Sequence, residues 1–146
     1  MKAQKLTEVK KLADEGFVEQ AWNIIEELML EEPNDGLTVM MGAYIMHRSK
    51  RLSIAYYLAR EATHLAPGQV QTWMELGHAA KQVWQLDEAK QAFRKAIALS
   101  TDPELRAINY SNIASIIIES GSFKEAEPVC QQALKCNPAH AKANAN

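Results

Sequence analysis

Trp73-Met-Glu-Leu76-Gly77-His-Ala-Ala80, a break at Val83-Trp84-Gln85-Leu86, then Ala89-Lys-Gln-Ala-Phe93-Arg-Lys-Ala96 form two patterned runs at the centre of the chain. Apolar and small residues fall three or four apart on each side of the break, the period of a helix face and not of a strand. So short a connection sends the second helix back along the first. Gly77 and Ala80 on one side, with Ala89 and Ala96 on the other, let the two backbones lie close, and Trp73, Leu76 and Phe93 fill the remaining space. On this reading Trp73 is core, and Trp73→Ala should cost about 3–5 kcal/mol.

One hairpin cannot bury its own apolar face, so recurrence is the next question. Stepping back 34 residues from Ala89 gives Ala55, and again gives Ala21; Pro33 and Pro67 keep the same interval. Ala126, Cys130, Ala133 and Pro138 repeat the spacing with three added residues. Val9, Ala43 and Ala114 stand where Gly77 stands, and Leu28, Ala62 and Ala133 where Ala96 stands. Four units tile the chain, at about 2–35, 36–69, 70–103 and 107–140.

The unit built on Trp73 resembles the tetratricopeptide repeat, with its W-x2-L-G-x2-Y…A-x3-F…P pattern over 34 residues. The resemblance covers essentially the whole chain. It departs from the pattern in the first unit, where Lys5 and Glu8 replace apolar residues. It implies an all-α fold, a right-handed superhelical α-solenoid of antiparallel helix pairs, forming a single domain over 1–146.

In chain order, the first unit opens with a helix over about 3–14, turns at Glu15-Gly16 and returns to stop at Glu32-Pro33. The polar face of its first helix (Lys2, Lys5, Glu8, Lys10, Lys11) reads as an end cap with water outside it, in preference to a basic docking patch. The second unit runs from Leu37 to His47, turns near Ser49-Lys50-Arg51 and returns over 53–65. In the third, Asp87 is the expected cap of the second helix, and Trp84 is expected to pack over the hairpin end. Thr101 or Asp102 caps the next helix with Pro103 in its first position, so the three added residues lengthen that helix to about 103–119. Pro128 should bend the last helix modestly. After Pro138, Ala-His-Ala-Lys-Ala-Asn-Ala-Asn reads as the opening turns of a further first helix, which suggests a fragment of a longer protein.

With 16 basic and 18 acidic residues the charge is near balance, and no basic stripe points to nucleic acid. No segment approaches the ~20 apolar residues of a membrane span, and the N-terminus lacks the apolar run of a signal peptide. Cys130 and Cys136, six apart on one helix, cannot pair, and fit a reduced, cytoplasmic setting. His47, His64, His78 and His140 are scattered without ligand spacing, and neither a phosphate loop nor a nucleophile elbow is present. Catalysis within these residues is not expected, nor is a cofactor or a metal.

What the resemblance implies instead is a groove, lined by the first helices of successive units, in which partner peptides lie. At the matching positions the second unit presents Met40, Met41, Tyr44, His47 and Arg48. The third presents Gln71, Met74, Glu75, His78, Lys81 and Gln82, and the fourth Ile108, Ser111, Asn112, Ser115 and Glu119. Helical spacing independently groups Tyr44 with Arg48, Met74 with His78 and Ser111 with Ser115. Met40, Met74 and Ile108 lean toward core; Tyr44, His78, Lys81, Asn112 and Ser115 lean toward the groove. The carboxylate-clamp subclass fits poorly, because Met74 and His78 occupy the places of its Lys and Asn and only Lys142 follows suitably. The asparagine ladder of arrays joined to O-linked glycosyltransferases fits in part: Asn112-Ile113-Ala114 matches and Asn146 would be the next rung, but Met41 and Glu75 interrupt it.

The expected function is a protein-interaction module that holds an extended peptide or a partner's helix. One alternative is the N-terminal segment of a larger enzyme such as a glycosyltransferase. Another is a scaffold that self-associates weakly through its open ends.

Overall fold

The computed structural model describes residues 1–136. Among them are eight α-helices and no strand: α1 (Lys2–Asp14), α2 (Val18–Glu31), α3 (Gly36–Arg48), α4 (Leu52–Leu65), α5 (Val70–Gln82), α6 (Leu86–Leu99), α7 (Pro103–Glu119) and α8 (Phe123–Cys136). The turns expected over 139–146, with His140, Lys142 and Asn146, lie outside the described residues, as does Pro138. The chain divides into two compact units, the first ending at Pro67 and the second starting at Gly68.

In the first unit α1 packs on α2 and α3, α2 on α3, and α3 on α4. Val9 and Ala13 of α1, Ala21, Ile25 and Leu28 of α2, Met41, Ile45 and Met46 of α3 and Ala55 of α4 form its core. The spacings 9/13, 21/25/28 and 41/45 are those of one helix face, so the apolar stripe of each helix is what it buries. Lys5 and Glu8 of α1 are exposed, consistent with a water-facing end helix.

In the second unit α5 packs on α6, α6 on α7 and α7 on α8. The α5–α6 hairpin closes as its small residues predict, with Ala80, Ala89 and Ala96 fully buried. The aromatic at its centre is Phe93, at 0 % exposure. A Cβ added at Gly77 would meet the Phe93 ring at 2.5–2.8 Å, closer than carbon atoms approach, so the ring lies directly on the Gly77 backbone. Trp73, expected as core, is only half-buried; the Lys95 ammonium stands 5.9 Å from its ring centroid. Phe93, and not Trp73, is therefore the aromatic whose loss should cost this hairpin most. At the next hairpin the Asp102 carboxylate accepts from the Glu104 N–H at 3.0 Å, with Pro103 opening the helix, so the cap falls at Asp102 and not Thr101. Asp87 does not cap α6: Gln85 precedes that helix, and Asp87 stands in its first turn, 3.5 Å from Lys90. Helix α8 continues through Pro128.

All four hairpin tips share one geometry. A single residue with positive φ follows each first helix: Gly16 (91°), Lys50 (66°), Trp84 (63°) and Gly121 (85°). The next residue sends its N–H back to the last turn: Phe17 to Leu12 O (2.8 Å), Arg51 to Met46 O (2.9 Å), Gln85 to Ala80 O (2.9 Å) and Ser122 to Ile117 O (3.1 Å). This is the Schellman ending, which satisfies otherwise orphaned carbonyls and favours glycine at the left-handed residue. Trp84 occupies that position and is 73 % exposed, so it does not pack over the hairpin end as expected. A Cβ in the left-handed region costs roughly 1–2 kcal/mol. Trp84→Gly, and independently Lys50→Gly, should raise stability by about 1 kcal/mol each in urea unfolding. A lower midpoint for Trp84→Gly would mean that the indole packs on the fold after all.

Candidate functional site

The face offered by the first helices is set by what those helices bury. Helix α3 is packed by α1, α2 and α4, and this uses most of its circumference. Met41, expected in the groove, is drawn inward: it is 8 % exposed and lies in the core with Ile45 and Leu28, which corrects that assignment. Met40 and Tyr44 pack against the same core from its margin and stay half-buried. His47 is half-buried and Arg48 exposed. Burial, with the Arg48 and Lys50 charges nearby, holds the His47 imidazole below its ordinary pKa.

Tyr44 and Arg48 meet a residue that the sequence reading missed, Asp14 at the end of α1. The Tyr44 hydroxyl donates to the Asp14 carboxylate. Arg48 Nη2 donates to the Asp14 carbonyl at 3.3 Å, and Arg48 Nε lies 4.0 Å from the carboxylate. Lys10 Nζ also stands 4.0 Å from that carboxylate and 6.0 Å from the Tyr44 ring centroid. The available signal was spacing: Asp14 is 34 residues before Arg48, at the same place in the preceding repeat.

In the second unit Met74, Glu75, His78 and Lys81 of α5 and Ser111, Asn112 and Ser115 of α7 are all half-buried. His78 sets its ring edge-on to Phe93, with centroids 5.1 Å apart at 75°, so one side of the imidazole belongs to the core. Burial pushes the Glu75 carboxyl up to about 7. Lys81 Nζ lies 3.4 Å from Ser115 Oγ and 3.2 Å from Glu119 Oε1, which ties α5 to α7. Two asparagines of α7 carry buried polar atoms without a hydrogen-bond partner among the described residues: Asn109 Oδ1 and Asn112 Nδ2. Asn109 is fully buried and donates through Nδ2 to Leu105 O at 2.9 Å. It stands where the earlier repeats have Thr72 and Thr38, whose hydroxyls donate to Gln69 O and to the Asp35 carboxylate.

Among the described residues no group of three or more His, Cys, Asp or Glu is placed to hold a metal ion. None of the described helices is long and apolar enough to cross a membrane. Cys130 and Cys136 are free thiols.

These observations define a class: a repeated antiparallel helix-hairpin protein, with a half-buried polar and apolar face on its first helices. Its α5–α6 hairpin is a tetratricopeptide repeat, and the chain resembles proteins built from that repeat. The sequence profile of the tetratricopeptide repeat matches residues 70–103, the hairpin of α5 and α6. The tetratricopeptide repeat-containing protein trd-1 of Caenorhabditis elegans is 24 % identical over 153 residues; the match takes in 86 % of this chain but only 20 % of that relative. Among solved structures, MamA from Desulfovibrio magneticus RS-1 superposes with a TM-score of 0.78 at 18 % identity, over 92 % of this chain and 75 % of that one. PilF of Pseudomonas aeruginosa gives 0.84 at 15 % identity, over 93 % of this chain and 61 % of that one. At such identities the likeness is one of fold, the all-α solenoid of helix pairs expected from the sequence.

Proposed function

We propose that this chain is a non-catalytic protein-interaction module, and that the exposed side of the second unit's first helices, α5 and α7, holds an extended peptide segment. The observation that carries this reading is Asn112. Its Nδ2 is buried without an acceptor among the described residues, a state that costs about 1–3 kcal/mol in a folded protein. A main-chain carbonyl of a bound segment, met by a swing of the amide about χ2, would satisfy that donor. Half-buried Ile108, one turn before Asn112 on α7, and half-buried Met74 on α5 offer apolar contact.

Asn112→Ala separates this role from a structural one. The variant should unfold within about 1 kcal/mol of the parent, or be more stable, because it removes an unsatisfied group. On an array of random 12-residue peptides its binding should fall about tenfold, and Tyr44→Phe, which loses only a hydroxyl, should leave the second unit's binders in place. Parent-like binding by Asn112→Ala would remove the reading.

The small share of trd-1 that the match covers supports a second reading, in which the array presents partners or substrates to further domains of a longer protein. The partial ladder at Asn112-Ile113-Ala114 points to a glycosyltransferase as one such setting. Sequencing the natural gene beyond both ends of these residues decides it: a coding region that ends with them excludes this reading.

A further inference from the structure

The face formed by α5 and α7 is charged but already balanced. Lys81 on α5 has a side chain 27 % exposed, and its ammonium sits between the Ser115 hydroxyl at 3.4 Å and the Glu119 carboxylate at 3.2 Å. Ser115 Oγ and Glu119 Oε1 are themselves 3.5 Å apart, one turn from each other on α7. The first unit repeats the arrangement with the signs exchanged: there the carboxylate, Asp14, is on the earlier first helix, and the cation, Arg48, on the later one. Two separate first-helix pairs each match a charge on one helix with its opposite on the other.

We infer that the α5–α7 face selects an uncharged extended segment, because Lys81 is neutralised from within by Glu119 and Ser115 while Asn112 keeps a donor for a main-chain carbonyl. The inference rests on the groove reading of the preceding subsection and deepens it. A carboxylate 4 Å from a lone ammonium gains about 1 kcal/mol in a water-like medium. Beside Lys81 it also meets Glu119 at a similar distance, and the repulsion offsets the gain. A cationic ligand drawn to Glu119 meets Lys81 in the same way. Glu75, pushed up to about 7 by burial, carries less than a full charge at neutral pH. What remains for recognition is uncharged: the Asn112 amide, the Ser111 hydroxyl, and the apolar side chains of Met74 and Ile108.

The test is an array of 12-residue peptides in three composition classes: uncharged (Ser, Thr, Asn, Leu and Met), half glutamate, and half lysine. It is probed with the parent protein, with Asn112→Ala and with Glu119→Gln, in 50 and 500 mM NaCl. Asn112-dependent binding by the parent is expected in the uncharged class, changing less than about twofold with salt. Glu119→Gln, which leaves Lys81 without its carboxylate, is expected to gain about fivefold in binding to the glutamate class at 50 mM and to lose that gain at 500 mM. Asn112-dependent binders that are mainly acidic or basic would overturn the selectivity and leave the groove reading standing. So would a Glu119→Gln variant that treats the glutamate class as the parent does. An array without any Asn112-dependent binder would overturn both.

Discussion

Replacing Phe93 by alanine is expected to lower the stability of the second unit by about 3–5 kcal/mol, the cost of deleting a fully buried aromatic ring from a core that refills only in part. The ring is at 0 % exposure, with its edge atoms against the backbone of Gly77 and the His78 imidazole edge-on to it. Trp73→Ala should cost less, since the indole is only half-buried. The Gly77 contact makes the effect reciprocal. Gly77→Ala puts a methyl group where the ring lies, and overpacking of this kind costs about 1–3 kcal/mol, reduced by the ~1 kcal/mol that alanine gains over glycine inside a helix. Phe93→Leu removes the ring edge, so the double variant should lose less than the two single variants together. Urea unfolding followed by circular dichroism measures all of these changes. A Phe93→Ala protein within 1 kcal/mol of the parent would show that the α5–α6 hairpin does not close around this ring.

The second large effect concerns pH. The Glu75 carboxyl titrates near 7 in the folded chain, against an ordinary value of 4.5, because burial penalises its charged form. The folded state therefore holds a proton that the unfolded state releases between these two values. Glu75 adds its stability in full below about pH 4.5, and the contribution is lost as pH rises through about 7. The loss amounts to up to about 3 kcal/mol. Glu75→Gln keeps the shape and removes the titration. The variant should be more stable than the parent at pH 8, and the gap should close toward pH 5. Taking the difference between the two proteins at each pH cancels the other carboxylates. Parallel stability curves from pH 5 to 8 would mean that Glu75 stays well hydrated.

The two effects meet different limits of sequence reasoning. The 34-residue recurrence of Ala21, Ala55 and Ala89 located the second helix of each hairpin, and all three alanines are buried. Asp102 with Pro103 located the start of α7, because capping chemistry is local and a few residues carry it. Packing choices between neighbours on one stripe were harder to read. Met40 and Met41 differ by one position, about 100° around the helix, and only the packing of three helices around α3 decides which turns inward. Trp73 and Phe93 are both large aromatics at apolar positions; the clue that favoured Phe93 was Gly77, whose missing side chain leaves room for a ring from the facing helix. Asp14 escaped because its contacts with Tyr44 and Arg48 are side-chain meetings across 30 and 34 residues, which no single-helix pattern encodes. Trp84 escaped because a turn's backbone geometry can be kept by an unfavourable residue, and the sequence shows the residue but not the angle.

The common ending of the four hairpins also governs where length can vary. Each tip is closed by a bond spanning six residues, so an extra residue there would break the bond or push its acceptor out of line. Helix α7 has 17 residues where α3 and α5 have 13, yet its tip at Gly121 is built like the others. The surplus was taken up at the opposite end, where Asp102 and Pro103 start the helix earlier. Grafts and insertions into this protein should therefore enter ahead of a first helix, where elongation by whole turns leaves the hairpin register alone, and never at the tips.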